Sequence, residues 1–90
     1  MRILIVEDDQ ETAIHLKRQL EALGHAVADA SNGQDGLLRA ADAGYDVIVL
    51  DRMLPELDGV VVVTRLRSAG IQTPVLFLTN LWGLMIGSKG

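Results

Sequence analysis

Three short apolar runs constrain this chain more than anything else in it: "RILIV" at residues 2–6, "YDVIVL" at 45–50 and "PVLFL" at 74–78. Short runs rich in β-branched residues are what parallel strands covered on both faces require. The segments between them have a different period. "QETAIHLKRQLEALG" (10–24) places Ala13, Leu16, Leu20 and Leu23 at helical spacing, with Gly24 in the position that ends a helix. "HAVADA" (25–30) is half polar and reads as a weaker second strand at a sheet edge. After the turn "SNG", "QDGLLRAADAG" (34–44) gives a second helix closed by Gly44.

The stretch "GVVVVTRLRSAG" (59–70) reads both ways. Four consecutive valines favour a strand, whereas Val63, Leu66 and Arg67 fit a helix. The alternation decides. Strand, helix, strand, helix, strand calls for a helix next, capped by Asp58, with 74–78 as the fourth parallel strand. The expected architecture is therefore α/β, in the order β-α-β-α-β-α-β, an open parallel sheet with helices on both faces.

Composition narrows the function classes. Ninety residues make one small domain, and 49% hydrophobic content with a mean hydropathy of +0.27 is too apolar for disorder. No apolar run approaches the ~20 residues of a membrane span, and "MRILIVEDD" turns acidic too soon for a signal peptide. No membrane partner is expected. The absence of cysteine removes disulfides and thiolate metal sites, and fits a reducing cytoplasm. A net charge of −4 without a basic block argues against direct nucleic-acid binding by these residues. There are no internal repeats, linkers or low-complexity segments.

In an open parallel sheet, function collects at the carboxyl ends of the strands. Three strand ends carry polar residues here: the first gives Glu7, Asp8 and Asp9, the third gives Asp51, and the fourth gives Thr79. All fall on one edge of the sheet. Carboxylates gathered closely repel, and either one of them takes up a proton or a cation neutralises the group. Oxygen-only ligands suit Mg²⁺, which also favours phosphoryl transfer to a projecting carboxylate. The residues thus point to an aspartate that accepts a phosphoryl group with Mg²⁺. Taken singly, each part has a plainer reading, a solvated turn for "EDD" and a helix cap for Asp51.

The combination is more specific. "ILIVEDD", then "VIVLDRMLPELDG", then "PVLFLT" resembles the receiver domain of bacterial two-component response regulators over about residues 2–79. The "MLPELDG" form of the loop is most similar to the subfamily that carries a winged-helix DNA-binding domain. The resemblance implies a flavodoxin-like fold with strand order 2-1-3-4-5. It also implies phosphorylation by a sensor histidine kinase as partner, rather than an enzyme in its own right. Asp51 matches the phosphoacceptor. Glu7 and Asp8 match the acidic pair for Mg²⁺, Asp8 directly and Glu7 through water, while Asp9 fits a helix N-terminus instead. Met53 matches the position whose backbone carbonyl completes the metal sphere. Thr79 matches the hydroxyl that hydrogen-bonds the phosphoryl oxygens. Pro55 and Gly59 match the loop that shapes the site.

After the fourth strand the pattern departs. Relatives continue with a small residue, a fourth helix, a fifth strand and Lys-Pro, whereas here the chain reads "TNLWGLMIGSKG". Asn80 stands where a small residue is usual, and Val61 replaces a usually polar residue. The expectation is a truncated receiver domain over 1–79 with its fifth strand missing, and a non-matching tail over 80–90. That tail is read either as an accidental end or as a short functional segment. The lack of a clean amphipathic period among Leu81, Trp82, Leu84, Met85 and Ile86 favours the first. Phosphoryl transfer is expected to be impaired without the usual lysine. The fourth strand becomes an apolar edge, so a homo-oligomer through that strand or the tail is expected. Two other function classes stand beside this reading. A phosphatase with a nucleophilic Asp would need an acid at Met53, which argues against it. A non-catalytic, self-associating interaction module remains as the alternative.

Overall fold

The computed structural model describes residues 1–42, 44–51, 54 and 57–78, with the side chain of Asp42 excepted. Seven elements follow one another as β1 (Arg2–Val6), α1 (Gln10–Ala22), β2 (Ala26–Ala30), α2 (Gly33–Asp42), β3 (Val47–Asp51), α3 (Gly59–Ser68) and β4 (Val75–Leu78). The four strands form one parallel sheet in the order β2-β1-β3-β4. The half-polar strand is at an edge, as its composition requires. Among the described residues there is no fifth strand. Met53, Pro55, Thr79 and the whole of 80–90 lie outside the described residues, and with them the expected boundary at 79/80.

Local chemistry sets the helix ends. Asp9 is the N-cap of α1, its carboxylate accepting from the Thr12 N–H and hydroxyl. The helix closes where Gly24 takes φ of 94°, a left-handed conformation that a side chain would strain, and the Gly24 N–H bonds the Glu21 carbonyl. Asn32 accepts from the Asp35 N–H at the start of α2. The valine-rich stretch is a helix, as the alternation demanded. Asp58 caps it by accepting from the Val60 N–H at 3.0 Å, and Val62 and Leu66 are buried at i, i+4 spacing.

Strand alternation splits the interior into two layers. Leu4, Val6, Ile48 and Leu50 point to one face, where Ala40 of α2 and Val62 and Leu66 of α3 complete a cluster. Ile3 and Ile5 point the other way, toward the side of α1 and its buried Ala13. Helices thus cover both faces. Gly36 lets α2 lie close against β1, because a Cβ there would meet the Val6 side chain at 2.8 Å.

β4 differs from the strands beside it. Leu76 is 62% exposed and Phe77 42% exposed, although their backbone pairs in register with Val49 and Leu50.

Candidate functional site

β1 carries the first acids to the carboxyl edge of the sheet. The Glu7 N–H still bonds the Ala30 carbonyl of β2 at 3.0 Å, extending the ladder by one residue. The chain then turns, and the Asp9 N–H donates to Glu7 Oε1 at 3.1 Å. Asp51 is the last residue of β3. Because Val6 pairs with Leu50, the next residue on each strand, Glu7 and Asp51, come side by side. Asp8 joins them, so that one carboxylate oxygen from each of Glu7, Asp8 and Asp51 lies within 4.8 Å of the others. Asp9, one residue on, is turned away to cap α1.

The three acids are not equivalent. Glu7 is buried, Asp51 half-buried and Asp8 exposed. Burial is the largest cause that pushes the Glu7 carboxyl up from its ordinary 4.5 to about 7. A hydrogen bond with Asp51 comes next, and the charges of Asp51 and Asp8 add to it. The Asp9 N–H opposes the shift by stabilising the anion. The net effect favours the protonated form of Glu7 beside Asp51.

A cluster of hard carboxylate oxygens, one member open to solvent, fits a small divalent cation that keeps part of its water shell. No nitrogen or sulfur ligand is among the three. Of the remaining expected site residues, Gly59 is buried and opens α3, while Met53, Pro55 and Thr79 are not among the described residues. The histidines stand apart from the acids: His15 is exposed, and His25 Nδ1 lies 3.1 Å from the N-terminal amine. The special status of Glu7 was missed from the sequence. The available signal was its place as the first polar residue after four buried ones, which predicts desolvation.

A parallel sheet in the order 2-1-3-4 with acids gathered at its carboxyl edge defines a flavodoxin-like receiver fold. A family model described as the response regulator receiver domain matches residues 3–83, and the chain belongs to that family. It is 49% identical over 78 residues to the transcriptional regulatory protein PcoR of Escherichia coli, covering 87% of this chain and 34% of the relative. It is 43% identical to the transcriptional regulatory protein CusR of Escherichia coli strain K12, covering 100% of this chain and 40% of the relative. The chain thus spans well under half the length of these curated relatives.

Among solved structures, the receiver domain of the Francisella response regulator 1452 superposes with a TM-score of 0.83 at 36% identity, over 87% of this chain and 64% of that one. The response regulator TrrA of Thermotoga maritima, in complex with Mg²⁺-BeF, gives a TM-score of 0.82 at 29% identity, over 87% and 68%. Receiver domains bind Mg²⁺ through acidic residues and interact with histidine kinases, and the Glu7–Asp8–Asp51 cluster is of that kind.

Proposed function

We propose that residues 1–79 act as a phosphoacceptor module, taking a phosphoryl group from a sensor histidine kinase onto Asp51 with Mg²⁺ held by Glu7, Asp8 and Asp51. The observation that carries the proposal is the convergence of these three carboxylates at one strand edge. In the reaction, an Asp51 oxygen attacks phosphorus, an O–P bond forms, and the P–N bond to the donor imidazole breaks with its electron pair leaving on nitrogen. When bound, Mg²⁺ offsets the negative charge of the acids and of the phosphoryl oxygens. Asp51 must attack as the anion, and a cation bound among the acids would favour that form. Asp8, the exposed acid, would be the direct ligand in this scheme, with Glu7 acting through water. The Met53 carbonyl would complete the coordination, and the Thr79 hydroxyl would donate to a phosphoryl oxygen. The regulatory output is transcriptional, in keeping with the names of the relatives.

A second property rests on a separate observation. Among the described residues β4 pairs with β3 alone, and its exposed Leu76 and Phe77 and its lack of charge suit self-association through this strand or the tail.

Incubation with acetyl phosphate, read by intact mass and peptide mapping, tests the phosphoacceptor. One phosphoryl group should appear on Asp51 only with Mg²⁺, and none on Asp51→Asn. Equal labelling of that variant would place the chemistry elsewhere.

A further inference from the structure

The surface between α2 and α3 opens into a cavity of about 340 Å³ that shares no residue with the carboxylate cluster. That volume is in the range of small-molecule sites, ~300–1,000 Å³. The floor is apolar: Leu66 is a buried core residue, and Leu37 and Ile71 are half-buried beside it. Leu38, 68% exposed, forms one wall without the cover such a side chain would ordinarily have. The short side chains of Ala41 and Ala69 leave room between the helices.

One charged residue, the exposed Arg65, is among those lining this apolar groove. The other arginines of the two helices are committed. Arg39 pairs with Asp35 at 3.2 Å, and Arg67 donates to the Ile71 carbonyl at 2.8 Å. Among the described residues Arg65 has no ion-pair partner. A guanidinium on an apolar cleft selects a ligand with a hydrophobic body and a single carboxylate, since its planar donors match that group in shape and charge.

We propose that the α2–α3 groove binds a small aliphatic carboxylate, its chain between Leu37, Leu38, Leu66 and Ile71 and its head group at Arg65. This site is independent of phosphoryl transfer. Leu66 also belongs to the cluster containing Leu50, the residue before Asp51, so the floor of the groove is continuous with the core beneath the acids.

Titration with octanoate below its micelle concentration, followed by ¹H–¹⁵N shifts, tests the proposal, with octanol and acetate as the other arms. Octanoate should give saturable shifts centred on Leu37, Ala41, Leu66 and Ala69, and acetate none. Ala69→Leu should fill the groove and weaken octanoate at least about tenfold. Arg65→Gln should lower the octanoate-to-octanol affinity ratio by about threefold, the scale of one exposed ion pair. The proposal is overturned by shifts that do not saturate, by shifts centred on Leu76 and Phe77, or by an unchanged ratio in Arg65→Gln.

Discussion

β1 and β4 are both short, apolar and parallel, yet among the described residues one is sealed and the other open. β1 has a strand on each side and helices over both faces, and Ile3, Leu4, Ile5 and Val6 are at most 4% exposed. β4 has β3 on one side, and among the described residues no element covers Leu76. Apolar composition therefore sets the element type, while burial is set by neighbours. The site follows the same division. Of the three acids, Glu7 follows the sealed strand β1 and is the buried one, and that burial is the largest cause of its raised pKa.

The comparison breaks or holds first on core truncations. Leu4→Ala in β1 should cost about 2–5 kcal/mol, the range for emptying a packed leucine site. Leu76→Ala in β4 should cost under about 1 kcal/mol, because most of that side chain is already in water. Urea unfolding measures both. Similar losses would mean that β4 is as sealed as β1.

The next effect is one of pH. A carboxyl whose folded pKa is raised binds its proton more tightly in the native state, so its contribution is present below about pH 4.5 and lost as pH rises through about 7. Metal-free stability should fall across that window. Glu7→Gln, which stays neutral, should flatten the curve there. Mg²⁺ binding runs the opposite way, strengthening as pH rises through 7, because the ligands must be ionised.

The smallest effect on stability belongs to the open strand. Leu76→Lys should change unfolding free energy by less than about 0.5 kcal/mol while shifting sedimentation toward monomer. Unchanged association would move the contact away from β4.

Much of this architecture was legible in the residues. The four strands, three helices, caps Asp9 and Asp58, terminator Gly24 and the edge position of β2 follow from period, capping chemistry and polarity. The four-valine run of α3 was not legible locally. Propensity favours strand there, and only the alternation of elements together with the Asp58 cap turns it to helix. The acids were legible as a group, but their ranking was not. That Glu7 rather than Asp8 is buried depends on the β1–β3 register and on the turn that aims the Asp9 N–H at Glu7 Oε1. Linear spacing does not encode either. The α2–α3 groove was equally hidden, since it depends on how two helices lie against each other.

The central claim is that Glu7, Asp8 and Asp51 act as one metal site while their neighbour Asp9 serves α1. Mg²⁺ titration of Asp8→Ala and Asp9→Ala, followed by the NMR shifts of Glu7 and Asp51, tests it most directly. Asp8→Ala should weaken binding at least about tenfold, the scale of one lost charge-assisted ligand. Asp9→Ala should leave affinity within about twofold and instead cost about 1 kcal/mol of stability through the lost cap. Equal losses of Mg²⁺ affinity in the two variants would contradict the account.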